Sequence, residues 1–250
     1  MTVHVGLALP SFVEDPEIPI AVARAAEAAE LDGVFVYDHL WRGDPPNRRP
    51  ALECFALLGA VAAETERVHV GTLVVRATLR PPATLANSLA TAQRVSDGRL
   101  IAAIGSGDSQ SRNETEAFGI EFGSMVDRVN ALHDSVRAAA GSGYPVWVGG
   151  RAVQVREIAA IADGWNSWGS EPEQFAEQGA LVREVSPDAT LTWGGLARPR
   201  DEGAPALAER LRPYARAGAT WIIIGPVDSS NPENAPVLAD VRTRINAPAH

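Results

Sequence analysis

A chain of 250 residues that is 46% hydrophobic and 21% charged carries enough apolar material for one globular core, which sets it apart from disordered and fibrous classes. Its 31 acidic side chains outnumber 22 basic ones for a net charge of -9, so its surface repels phosphate polymers and no nucleic-acid partner is expected. Cys54 is the only cysteine, which leaves no intrachain disulfide and no thiolate zinc site; residues 1–10 lack a basic and apolar leader, and no apolar run reaches the roughly 18 residues of a membrane span. The expectation is a protein of the reducing cytoplasm.

Short β-branched runs alternate with longer Ala-rich amphipathic ones, the pattern of parallel strands joined by right-handed helical crossovers. Val3 to Leu9 reads as the first strand, followed by a helix over Ile18 to Leu31 that buries Ile20, Val22, Ala23 and Ala26 while Arg24, Glu27 and Glu30 face water. Gly33 to Asp38 is the second strand, Val68 to Val74 the third and Leu100 to Ser106 the fourth. A helix over Val129 to Ala140 precedes the fifth, Pro145 to Gly149; Gly164 to Trp168, Thr190 to Ala197 and Trp221 to Gly225 complete the set. Proline and glycine punctuate the joints at Asp44 to Asn47, Arg80 to Pro82, Asp97-Gly98, Gly141 to Gly143 and Asp228 to Asn234, and none of these resembles a domain linker. Eight such units in about 250 residues predict an α/β fold of one domain, a single (β/α)8 barrel over residues 1–250.

In such a barrel the loops after the strands build the site. Asp38-His39 lies after the second strand; a histidine there exchanges a proton near neutral pH, and a neighbouring carboxylate orients it. The same residues also fit a plain loop start, with Asp38 capping a turn and His39 stacked on Trp41. Gly149-Gly150-Arg151-Ala152 stands between a strand and a helix, so its free amides and the Arg151 charge form a prospective phosphate cradle, although Gly-Gly is also the usual content of a tight turn. Gly105 to Glu114 is rich in glycine and hydroxyls. It matches neither a Walker loop nor a dinucleotide fingerprint, so Gly107, Asp108 and Asn113 are read as groups for a heterocycle rim or a substrate, against a solvated loop as the alternative. Trp168 and Trp193 are placed to wall a pocket, whereas Trp147 and Trp221 fit a core; no catalytic triad and no metal set is visible.

Several stretches together resemble the bacterial-luciferase-like oxidoreductases: Val70-Gly71-Thr72-Leu73-Val74, then Pro81 with Leu85-Ala86, Ser96-Asp97-Gly98-Arg99 and Gly105-Ser106-Gly107-Asp108, with Pro145 to Arg151 and Ala159 to Trp165 beyond them. The likeness covers the first two thirds of the chain well and the last third weakly. It implies a luciferase-like TIM barrel, a non-proline cis peptide at Leu73-Val74 forming a bulge behind a flavin-type ring, and phosphate binding at Gly149 to Ala152. Thr72, Leu73, Val74, Gly107, Asn113, Gly149, Gly150, Arg151, Ala152 and Trp168 are its implied cofactor contacts.

Members of this family use either flavin mononucleotide (FMN) to activate oxygen or the deazaflavin coenzyme F420 to move a hydride, and the Asp38-His39 pair is similar to the deazaflavin branch. The resemblance therefore implies F420-dependent hydride transfer on a small organic substrate, with His39 as proton donor or acceptor, Asp38 orienting it and Asp108 auxiliary. An FMN monooxygenase is the alternative, and a non-catalytic scaffold barrel the alternative of another class. Between Arg128 and Pro145 the chain is too short for the insertion that many relatives place there, which implies an open pocket. The loops Ser11 to Pro19, Arg42 to Pro50, Arg198 to Gly203 and Val227 to Pro236 are the expected substrate walls. Relatives pair through helices two and three, which points to a homodimer through Ala51 to Ala63, where Leu52, Phe55, Leu58 and Val61 are equally suited to plain burial.

Overall fold

A computed structural model describes residues 2–43 and 47–248, so Asp44 to Pro46 of the predicted second loop and the terminal His250 lie outside it. Each predicted strand forms within a few residues of its expected ends. They are β1 (His4–Ala8), β2 (Gly33–Val36), β5 (His69–Arg76), β6 (Leu100–Gly105), β7 (Val146–Gly149), β8 (Gly164–Trp168), β9 (Thr190–Ala197) and β10 (Trp221–Pro226). A small antiparallel ribbon, β3 (Trp41–Arg42) with β4 (Arg49–Pro50), rises from the loop after β2 and was not visible in the sequence pattern.

The large strands close in the order β1-β10-β9-β8-β7-β6-β5-β2, with every neighbouring pair parallel. This is the expected (β/α)8 barrel. The helices between them are α1 (Glu17–Ala28), α2 (Cys54–Ala63), α3 (Pro82–Val95), α4 (Arg112–Ala117), α5 (Met125–Ala139), α6 (Ala152–Ala159), α7 (Pro172–Arg183), α8 (Pro199–Glu202), α9 (Ala204–Arg216) and α10 (Asn234–Asn246). Among the described residues no helix is long and apolar enough to cross a membrane.

Strand alternation divides the core in two. Val5, Leu7, Val34, Val70, Ala102, Val148 and Ile222 face the helix layer, while Phe35, Leu73, Ile101, Trp147, Trp221 and Ile223 fill the barrel. Phe35 sits where a Cβ on Gly6, Gly33 or Gly71 would stand, at 2.7, 3.0 and 2.8 Å from the ring, so three glycines make the space that one aromatic side chain closes. On α2, Leu58 and Val61 are buried against the barrel, and Leu52 and Phe55 are half-buried on the same core. The burial reading of that stretch accounts for these four side chains.

Two tryptophans divide as the pleat dictates. Trp168, at the end of β8, is 44% exposed at the barrel mouth. Trp193 corrects the expectation of a pocket wall: it faces the helix layer, stacks on Tyr214 at 4.2 Å and donates its indole N–H to the Ser170 carbonyl.

Candidate functional site

The C-terminal ends of β2, β5, β6, β7 and β8 surround one cleft of about 540 Å³. Its wall includes Asp38, His39, Leu73, Val74, Arg76, Gly107, Asp108, Gly149, Gly150, Arg151, Asn166, Trp168 and Gln178. The cleft thus brings His39 and the Gly149-Gly150-Arg151 turn to the same mouth of the barrel.

His39 does not take its partner from the neighbouring residue. Its Nδ1 lies 2.8 Å from Glu114 Oε1 on α4, a carboxylate that is 4% exposed. Glu114 also accepts from the amides of Leu40 at 2.7 Å and Trp41 at 3.1 Å, and from Arg76 Nη1 at 3.0 Å. Burial alone would raise the Glu114 carboxyl, but the bonds from His39 and the Leu40 amide, with the charges of His39 and Arg76, outweigh it and hold the group below the usual carboxylate range. An ionised carboxylate on Nδ1 makes that nitrogen the donor and leaves Nε2 as the atom available to a ligand. The ring leans on Phe12 at 5.4 Å rather than on Trp41, which packs against Phe118.

Asp38 corrects its expected role as the orienting partner. Its side chain, 2% exposed, accepts from the Arg76 amide at 2.8 Å and from both terminal nitrogens of Arg80 at 2.7 and 3.2 Å. Asp38 and His39 lie beyond the end of β2, and their side chains take different partners. Asp108 is likewise engaged: its Oδ1 accepts from the amide and the hydroxyl of Ser111, both at 3.1 Å, and caps a short 3-10 turn.

The peptide between Leu73 and Val74 is cis, and the ladder with β6 shifts register there. Val74 packs against the ends of β6 and β7. A Cβ on Gly105 would stand 2.4 Å from Val74 Cγ2, and one on Gly149 2.7 Å from Val74 Cγ1, so both strand ends need glycine beside the bulge. At the turn after β7, Gly150 has φ +141, its carbonyl accepts the Trp165 indole N–H at 2.8 Å, and Arg151 caps α6 with no side-chain cap bond. Among the described residues no acceptor meets the amides of Arg151 and Val153.

Three expected cofactor contacts fall elsewhere. Thr72 is fully buried on the helix-facing side of β5 and donates to the Ala103 carbonyl at 2.8 Å. Asn113 is exposed on α4, because a helix turns about 100° per residue and its neighbour Glu114 points inward. Ala152 is buried and its amide is taken by Gln178 Oε1 at 3.0 Å. Glu114, Arg76 and Gln178 are the site groups that sequence reasoning missed; the only signal was a carboxylate at the end of the hydroxyl-rich run.

A closed α/β barrel thus carries a histidine–carboxylate pair and a helix N-terminus with two unclaimed amides on one cleft. The chain belongs to the luciferase-like monooxygenase family, whose model matches residues 4–144, more than half of the 250 residues. It is similar to the F420-dependent glucose-6-phosphate dehydrogenase of Amycolatopsis mediterranei (strain U-32), at 36% identity over 125 residues, which are 49% of this chain and 36% of that protein. The match thus spans little more than a third of that relative. In fold it is similar to an F420-dependent secondary alcohol dehydrogenase solved with an F420-acetone adduct, at TM-score 0.83 and 14% identity over 99% of this chain and 100% of that one. It is also similar to the FMN-bound oxygenating constituent of 3,6-diketocamphane monooxygenase from Pseudomonas putida, at TM-score 0.74 and 11% identity over 98% of both chains.

Proposed function

We propose that this chain is an F420-dependent oxidoreductase of the luciferase-like family, one barrel domain of the cytoplasm acting on a small organic substrate, with no nucleic-acid partner and with self-association as a homodimer. The observation that carries the reading is that one cleft joins a histidine whose Nδ1 is fixed by a buried carboxylate to a helix N-terminus with unclaimed amides. F420 dependence also stands in the name of the Amycolatopsis relative.

The residues fit such a group. Its phosphate would accept from the Arg151 and Val153 amides and the Arg151 guanidinium, Gln178 flanks the same turn, and its ring would lie against Leu73 and Val74, where Gly105 and Gly149 carry no side chain. When bound, F420 supplies a ring carbon that accepts or gives a hydride. The protein does the rest. His39 Nε2 takes the proton from the substrate hydroxyl as the adjacent carbon loses its hydride, and Glu114 stabilises the imidazolium that forms. In reverse, the same nitrogen returns the proton to a carbonyl oxygen.

The test is titration of the purified protein with F420 and with FMN, followed by fluorescence. Saturable F420 binding with a phosphate-free analogue binding far more weakly supports the proposal. Preference for FMN with substrate-dependent oxygen uptake moves the chain to the monooxygenase reading, and binding of neither leaves a scaffold barrel.

A further inference from the structure

Among the described residues, two arginines belong to the cleft wall, and they stand at different groups. Arg151 lies at the turn after β7, given above to the cofactor phosphate. Arg76 ends β5, and only part of its guanidinium is used. The side chain is 4% exposed and gives Nη1 to Glu114 Oε1 at 3.0 Å and to Thr115 Oγ1 at 3.3 Å. Nε and Nη2 are buried, and among the described residues neither has a hydrogen-bond partner. These two nitrogens form one edge of the planar group, with parallel N–H bonds, the geometry that meets both oxygens of a carboxylate. A desolvated pair of charged donors left unmet is costly, so the edge calls for acceptors that come from outside the fold.

The protein's own carboxylates do not fill it. Among the described residues Glu114 is the only one paired with the Arg76 guanidinium. Asp108 shares the wall but turns its Oδ1 to Ser111, and Asp38 is held by Arg80. Glu114 Oε1 also receives His39 Nδ1 at 2.8 Å, so the base and the guanidinium are anchored on one oxygen atom and stand next to each other in the cleft. A ligand that puts a hydroxyl on His39 Nε2 and a carboxylate on the free edge must carry the two groups close together. Arg76 would then bridge two carboxylates, Glu114 on one side and the ligand on the other.

Resting on the oxidoreductase reading, we propose that the substrate is a small hydroxy acid and that the free edge of Arg76 is the specificity-determining fork for its carboxylate. The carbinol carbon gives its hydride to F420, the hydroxyl proton passes to His39 Nε2, a C=O bond forms, and the product is the oxo acid. The bound carboxylate adds a negative charge beside His39 and so favours the imidazolium.

Saturation-transfer NMR with pyruvate on the cofactor-free protein tests the fork directly. Pyruvate should bind, and pyruvamide, which lacks the charge and one acceptor, should bind about tenfold more weakly. Arg76→Lys keeps a cation for Glu114 but has no fork, and should bring the two ligands within about threefold of each other. With F420 bound, lactate should be oxidised with a kcat/KM about 100-fold above that of lactamide, and Arg76→Lys should raise the lactate KM about tenfold with F420 affinity within about threefold. Equal binding of pyruvate and pyruvamide by the unaltered protein overturns the proposal. So does a loss of F420 affinity in Arg76→Lys, which would give the edge to the cofactor. If F420 does not bind at all, the oxidoreductase reading fails, while pyruvate against pyruvamide still decides what the fork takes.

Discussion

His39 and Glu114 are joined at 2.8 Å across 75 residues of sequence, and that contact fixes which imidazole nitrogen faces the cleft. Glu114→Gln keeps an oxygen for the Leu40 amide but places an amide against Nδ1 and removes the charge that stabilises the imidazolium. The expected result is a fall in kcat of about 100-fold with KM within about threefold and unchanged F420 affinity. A fall in affinity with normal kcat would make Glu114 a structural group only.

The same carboxylate makes the protein acid-sensitive. Burial opposes its ionisation, but the His39 bond and the neighbouring amide and charges prevail, so its folded pKa lies below the unfolded value. For a depressed carboxyl the stabilisation is complete above the unfolded value of about 4.3 and is lost as pH falls through the folded one. Asp32 shifts the same way for a parallel reason, with burial overcome by His4 and the Val5 amide. Urea midpoints should therefore be flat from about pH 7 to 5 and drop below it. The drop should be shallower in Glu114→Gln, and an identical slope would remove Glu114 from the account.

Asp38 tests the correction to its role. It binds Arg80 with both oxygens and the Arg76 amide with one; Asp38 is nearly out of solvent and Arg80 partly so. Asp38→Ala strands these donors and is expected to cost about 3–5 kcal/mol in stability, read from denaturant midpoints. Asp38→Asn retains an acceptor and should cost less. If either variant instead lost turnover at full stability, Asp38 would be acting on His39 after all.

The barrel was legible because its signals are local. Alternation such as Val68 to Val74 declares a strand, and eight such runs in this length leave few closed arrangements. The histidine and the Gly149 to Arg151 turn were legible for the same reason, since each sits at a strand end. Pairing was not. Glu114 meets His39 only because α4 folds back over the mouth, and the neighbouring Asp38, the obvious choice on the page, is held by Arg80 and the Arg76 amide instead. Trp168 and Trp193 look alike in sequence, and only the register of β8 and β9 sends one to the mouth and the other to the helices.

The anion turn gives a binding prediction. Gly150 has φ +141, a conformation that other residues rarely adopt, and it precedes the open amides of α6. Gly150→Asp adds both backbone strain and a negative charge, and should weaken F420 by about 100-fold or more in a fluorescence titration. Arg151→Ala, which changes no backbone, should weaken it by roughly tenfold and flatten its salt dependence. Unaltered binding in both variants would place the phosphate elsewhere.

The last prediction concerns the bulge. Val74 packs where Gly105 and Gly149 leave room, and a methyl on Gly105 would stand 2.4 Å from Val74 Cγ2, too close for a backbone-anchored atom to yield. Gly105→Ala alone is expected to destabilise by about 1–3 kcal/mol and to weaken cofactor binding, because Val74 is driven into the cleft. Val74→Ala removes the clashing methyls at a smaller loss of packing. The double variant Gly105→Ala with Val74→Ala should then be more stable than the sum of the two single losses predicts, by about 1 kcal/mol or more. Strict additivity in that cycle would mean that the two residues do not share the space, and that the cleft floor at β6 is set by something other than Val74.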